Sequence, residues 1–516
     1  MAITERISEP YVLDLQFRGF VEGLTYIDKK TQQRLCHYLG GIPYGLPPIG
    51  PFRFQKPRPL PACYRYGTRA NPGRFTGGCG MCPQPDPSDN LDEGAWDEDC
   101  LQTNVWIPVG KPPAEGWPVL FWIRAYGGFL QFGSPMGLDP CAMLCETSCK
   151  AIIVSPGYRL NIFGFLASPE LLDASSDFAV NAGFWDQRLA LEWTWQNISY
   201  FGGDASNITI GGYSAGSHST FYQLAYDLGV PDTKAIVRRA LMFSNGPGMQ
   251  PKSLEDAQMQ FDEFTANLDI PSAMTPAEKL ATLRALDART LLEATLNMKF
   301  HQFRAVTDGA FVRSGLLAEL DTGVFAQRMK RRGVRLIMGE CSDEHFVYGT
   351  WRTPANSRAS LFHRLQADYP LRACEALMDY YFPSGELPAG YNDWQDAFGR
   401  IYADIQIHHL ERGMANALVQ HGAGDLLYRY RMEWRAQCCD KQKEQVLVRK
   451  AFHENLARFL KGQEMQWGTR HPMQLRTLKP DGRIEIEEDG WLEEGLRVWE
   501  ILRRVGATGL PRSSRL

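Results

Sequence analysis

In the stretch NITIGGYSAGSHST, residues 207–220, a serine stands between two glycines where an apolar run gives way to a helical pattern. A serine hydroxyl becomes a useful nucleophile only when the backbone presents it openly and a base takes its proton. The spacing Gly212-Tyr213-Ser214-Ala215-Gly216 meets the first condition. It predicts a strand, a tight turn and a helix meeting at Ser214, with both glycines small enough for strand and helix to approach closely. The start of that helix would offer free N–H groups and partial positive charge to an oxyanion, and Ala215 carries the first such N–H. A second stretch, FWIRAYGGFLQFG at 121–133, follows another apolar run. There Gly127 and Gly128 are candidates for two further donors, because a side chain would obstruct a bound acyl oxygen. The chemistry indicated is acyl transfer through Ser214.

The elements that must position these residues are readable as short apolar runs. WPVLFWI (117–123), AIIVSP (151–156), SNITIGG (206–212) and VRLIMG (334–339) lack polar alternation, the pattern of strands covered on both faces. LLYRYRMEW (426–434) reads as a further, more polar strand. Helical stretches such as 184–198 and 217–229 lie between them, so the chain predicts a mostly parallel α/β sheet flanked by helices. The first hundred residues are rich in turns, with loop material at 41–54 and 77–90. Segment 250–332 is mainly helical and interrupts the strand series, as an inserted cap would. Residues 1–516 are read as one domain that includes this cap.

Composition narrows the partners. With 55 Lys and Arg against 59 Asp and Glu, the net charge of -4 argues against a nucleic-acid partner, which needs clustered cations. No uninterrupted apolar run of about 18 residues suggests a membrane span. The N-terminal residues show no signal-peptide pattern, which favours a cytoplasmic protein. Twelve cysteines in 516 residues are too dilute for a disulfide scaffold. Cys141, Cys145 and Cys149 recur at helical spacing, but no partner ligands follow at zinc-site spacing, so they read as small buried residues rather than a metal site.

Several landmarks occur in order: GIPYGLPPIGPFRFQKP (41–57), EDCLQTNVWIP (98–108), GYRLNIFGFL (157–166) and the long stretch 181–217. Together they resemble the type B carboxylesterases, the family of the cholinesterases and fungal lipases. The resemblance covers nearly the whole chain. It implies an α/β-hydrolase fold and hydrolysis of carboxylic esters without a cofactor. It puts the nucleophile on Ser214 and the oxyanion donors on Gly127, Gly128 and Ala215. GECSDEH (339–345) falls where the family carries its triad acid, which would be Glu344. The resemblance also implies a disulfide between Cys82 and Cys100.

The triad's imidazole is where the pattern breaks. Chain order in this fold runs nucleophile, acid, histidine, yet residues 435–452 read RAQCCDKQKEQVLVRKAF and contain no histidine. His453 follows in the right order but falls on a helix, His345 adjoins the acid, His218 is four residues beyond Ser214, and His408, His409 and His421 precede the last strand read here. Two functional readings stay open: a serine carboxylesterase, or a hydrolase fold turned to ligand binding or to a non-hydrolytic biosynthetic reaction. A coding sequence misread across an exon boundary near Gln437–Lys443 would produce the same gap.

Overall fold

The computed structural model describes residues 5–85, 96–124, 138–349, 353–435 and 441–509. Its principal strands are β1 (Arg6–Asp14), β2 (Phe20–Asp28), β3 (Arg34–Pro43), β4 (Gln102–Pro108), β5 (Trp117–Ile123), β6 (Ile152–Pro156), β7 (Gly203–Tyr213), β8 (Val237–Phe243), β9 (Arg335–Asp343), β10 (Leu427–Arg435), β11 (Leu475–Leu478) and β12 (Ile484–Glu487). They form one sheet in the order β1-β2-β3-β4-β6-β5-β7-β8-β9-β10-β11-β12. The run from β6 to β11 is parallel throughout, whereas the β1–β4 end and the β11–β12 hairpin are antiparallel. The mostly parallel sheet expected from the apolar runs is present.

Alternate residues of the central strands feed two separate cores. Phe121, Ile123, Ile210, Met242 and Met338 pack into one, and Leu120, Ile153, Leu241 and Ile337 into the other. Side chains alternate across a strand, so covering both faces requires the unbroken apolar runs seen in the sequence. The helices that matter for the site are α1 (Cys141–Glu146), α2 (Ala182–Asn197), α3 (Ala215–Gly229), α4 (Leu254–Asn267), α5 (Pro276–Ala285), α6 (Ala288–Leu296), α7 (Val324–Arg332), α8 (His409–Gln420), α9 (Lys441–Leu460) and α10 (Leu492–Arg504). Capping boxes start α4 at Ser253 with Asp256 and α5 at Thr275 with Glu278, where each satisfies two N–H groups that a helix start leaves free. Helix α7 packs against α3 and leads directly into β9.

Two sequence expectations are corrected here. The first hundred residues contain three strands of nine or ten residues, β1 to β3, in a region read as rich in turns with no strands named. The turn signals at 41–54 and 77–90 lie largely outside these strands, which pair with one another in sequence order before β3 joins β4. The cysteines at 141, 145 and 149 do not share one helix face, because α1 ends at Glu146. Strand β8, VRRALMF, also escaped the strand reading, its two arginines breaking the apolar run.

Candidate active site

Ser214 sits between the end of β7 and the first residue of α3, with φ 55° and ψ -121°. A non-glycine residue holds such a backbone only when its surroundings enforce it. Here the enforcement is steric. A Cβ on Gly212 would lie 2.2 Å from the carbonyl carbon of Gly216, and one on Gly216 would lie 2.1 Å from the carbonyl oxygen of Ile123. Strand β7, turn and α3 are therefore pressed against each other and against β5, which pairs in parallel with β7 through Gly212 and Ile123. The Ser214 N–H donates to the Phe243 carbonyl at 2.9 Å, and its own carbonyl accepts the His218 N–H at 3.1 Å. Ala215 is buried at the first position of α3, where an N–H has no acceptor within the helix. Gly127 and Gly128 lie outside the described residues.

Glu344 follows the end of β9 and is buried. Its Oε1 accepts the Cys341 N–H at 2.9 Å, and its carboxylate also accepts a hydrogen bond from the Ser244 side chain. Burial pushes its pKa up to about 7, against the opposing pull of the Cys341 and Ser244 donors and of His408. Ser244 itself has φ 52°, and its N–H donates to the Gly339 carbonyl at 2.8 Å. The dipeptide Phe243-Ser244 thus holds the nucleophile by its backbone and the acid by its side chain. Sequence reasoning missed Ser244. Its signal was a serine directly after an apolar strand, too common a feature to stand out.

A second carboxylate lies four residues before Glu344. Glu340 accepts from Arg412 (Nη2 to Oε1, 2.6 Å), from Arg431 (Nε to Oε1, 3.0 Å) and from the His408 ring, whose Nδ1 is 2.7 Å from Oε2. Asp489 joins the same buried network through Arg412 and Arg429. Burial opposes ionisation of Glu340, but Arg412 and His408 outweigh it and hold the carboxyl well below the usual range. A charged residue at the end of an otherwise apolar strand was the signal available in the sequence.

The histidines divide clearly. His218 is buried on α3 against Tyr222, with ring centroids 4.8 Å apart, and burial together with Arg304 pushes its pKa down to about 3. Such a ring is a weak base at neutral pH. The His453 carbonyl accepts from the thiol of Cys149, three residues ahead of β6. This places that part of α9 beside the N-terminal ends of the parallel strands, across the sheet from Ser214. His345 begins the short helix His345–Tyr348 and acts electrostatically on Asp396. His409 lies 3.4 Å from Asp404, and His421 bonds the Asp321 carbonyl. His408 is a buried imidazole with a carboxylate at 2.7 Å near the strand ends, and that carboxylate is Glu340 rather than Glu344.

Among the described residues no group of His, Cys, Asp and Glu is arranged to hold a metal ion, and no helix is long and apolar enough to cross a membrane. Cys82 and Cys100 are joined in a disulfide, the pairing that the resemblance implied.

Comparison with known proteins adds an independent line. Residues 9–469 match the carboxylesterase family. A carboxylic ester hydrolase from Gibberella moniliformis is 44% identical, over 96% of this chain and 96% of that one. An uncharacterized esterase/lipase from Schizosaccharomyces pombe is 36% identical over 95% and 96% of the two chains. Among solved structures, Aspergillus niger EstA aligns over 96% of this chain and 98% of that one, with a TM-score of 0.75 at 20% identity, a likeness of fold. The chain belongs to the carboxylesterase family and has its α/β-hydrolase fold.

Proposed function

We propose that Ser214 is the nucleophile of a carboxylic ester hydrolase that works through an acyl-enzyme. The observation that carries this reading is the strained Ser214 backbone at the β7–α3 turn, fixed by contacts at Gly212 and Gly216 that leave no room for a Cβ. In this mechanism Ser214 Oγ attacks the ester carbonyl carbon and the alcohol leaves. Water then cleaves the acyl-serine to release the acid. The Ala215 N–H, with Gly127 and Gly128, receives the oxyanion at both tetrahedral stages. Glu344 is the acid of the site. With a pKa near 7 it is matched to accept a proton at neutral pH. The segment that includes α4 to α6 forms part of the substrate-side wall. Next to α4 lies a cavity of about 90 Å³ lined by Lys252, Phe300, Arg304, Asp368 and Tyr369, and Arg304 reaches far enough inward to act on His218.

The absence of histidine from 435–452 favours a second reading, in which the fold binds a ligand or performs a different acyl reaction. Losing the base while keeping the oxyanion donors leaves roughly 10³–10⁴-fold acceleration over water. Turnover of short-chain aryl esters by the wild type and by Ser214→Ala separates the two. The hydrolase reading expects protein-dependent turnover that Ser214→Ala removes, and that free imidazole raises in the wild type more than in the variant. Equal turnover by both proteins, with or without imidazole, would leave the second reading standing.

A further inference from the structure

The unbonded cysteines do not all behave alike. Cys149 donates to the His453 carbonyl at 3.1 Å, Cys79 to the Gln102 carbonyl at 3.2 Å, and Cys374 to the Tyr369 carbonyl at 3.8 Å. Each is a small buried side chain that has found a backbone acceptor. Cys36 and Cys141 instead face each other. Their sulfurs are 2.8 Å apart, inside the roughly 3.5–4.0 Å at which nonbonded heavy atoms rest, and both residues are buried, at 0% and 1% exposure. Cys36 lies on β3, where it pairs with Tyr26 of β2 and Pro108 of β4. Cys141 opens α1, which packs on β3.

The surroundings give the two sulfurs different roles. Arg6 of β1 reaches over the pair, its Nη1 3.3 Å from Cys141 Sγ and 3.0 Å from Asp139 Oδ1. The same carboxylate oxygen accepts the Cys141 N–H at 3.2 Å. This holds a guanidinium against one sulfur only. The Arg6 side chain is 32% exposed, so the pair lies one side chain below the surface.

We propose that Cys36 and Cys141 form a redox modification site, a dithiol that hydrogen peroxide converts to a second intramolecular disulfide. The Cys141 thiolate attacks one peroxide oxygen, breaking the O–O bond and leaving Cys141 as a sulfenic acid with hydroxide released. Cys36 sulfur then displaces that oxygen. The S–S bond forms, the Cys36 proton leaves with the departing hydroxyl as water, and the hydroxide takes up the proton Cys141 first gave to solvent. Two thiols and one peroxide thus become one disulfide and two waters. Contact with Cys141 and burial push the Cys36 thiol up, consistent with Cys36 as the resolving partner. The bond would close a span of 105 residues and tie the antiparallel end of the sheet to the start of α1. The chain enters that helix shortly after the glycines proposed as oxyanion donors. The site stands on its own geometry and holds whether or not the protein hydrolyses esters.

Peptide mapping of the full-length protein tests it without relying on activity. The protein is reduced with dithiothreitol, freed of reductant, treated with a stoichiometric amount of hydrogen peroxide, alkylated after denaturation and digested. A dithiothreitol-sensitive linkage between the Cys36 and Cys141 peptides is expected, with Cys149 and Cys374 still alkylated as internal standards. The linked protein should also melt several degrees above the reduced form under non-reducing conditions, a shift that Cys36→Ser abolishes. Alkylation of Cys36 and Cys141 to the same extent before and after peroxide would overturn the proposal. So would oxidation of Cys141 to sulfinic acid without a linkage to Cys36.

Discussion

The nucleophile turn and the charged cluster near the end of β10 are built to different standards. At the nucleophile end, Gly212, Gly216, Ile123 and Phe243 fix Ser214 by contacts that a single methyl group would break. At the far end, where β10 finishes at Arg435, the buried residues nearby serve charge neutralisation: Glu340, Arg412, Arg431 and His408 satisfy one another. Glu340 and Glu344 show the contrast within four residues of one chain. Arg412 and His408 hold Glu340 ionised, whereas at Glu344 burial outweighs the Cys341 and Ser244 donors and the pull of His408, leaving it able to change its proton near pH 7. A carboxylate locked among arginines supports the fold, and one surrounded by N–H and O–H donors stays available for chemistry.

Substitutions can break that contrast, and the largest effect belongs at the turn. Gly216→Val would force its Cβ against the Ile123 carbonyl, so α3 and β5 must separate. A loss beyond about 5 kcal/mol is expected, seen as a failure to recover folded protein by circular dichroism and size exclusion.

Next comes Glu340→Gln. It leaves Arg412, Arg431 and His408 without their common carboxylate, and urea unfolding should show about 3–5 kcal/mol of destabilisation. If the loss were under 1 kcal/mol, the network would not be the structural element described.

Glu344→Gln sharpens the other half. A carboxyl raised from 4.5 to about 7 in the folded state binds more protons folded than unfolded. Its contribution to stability is complete below about pH 4.5 and is lost as pH rises through about 7. Above that window the wild type has given up on the order of 3 kcal/mol. The glutamine protein should show a flatter stability profile between pH 4.5 and 8, together with loss of the rise in kcat/KM through pH 7 that the wild type is expected to show.

The smallest effect belongs to Ser244→Ala, which removes one donor from Glu344. About 1 kcal/mol is expected, with the midpoint of the pH–rate profile moved upward, because the ionised carboxylate loses support.

The chemistry of the turn was readable in the sequence because it is local. Gly212, Ser214 and Gly216 carry their geometric demands within five residues, and the apolar runs of β5, β6, β7 and β9 announce a doubly covered sheet. Glu344 became visible through the resemblance, since an acid after a strand is unremarkable alone. What stayed hidden depends on distant partners. Ser244 matters because β8 and β9 are neighbours, a pairing that residues 237–243 do not signal. Glu340 gathers cations from Arg412 and Arg431, each more than 70 residues away. The join of β3 to β4 crosses a long stretch of loop material.

The central claim is that Ser214 is an activated nucleophile, and covalent labelling tests it most directly. The folded protein is treated with a fluorophosphonate, and the modified peptide is identified by mass spectrometry. A single adduct on Ser214 is predicted, absent from Ser214→Ala and slower to form in Glu344→Gln. No adduct on Ser214 under conditions that label a competent serine esterase would contradict the account.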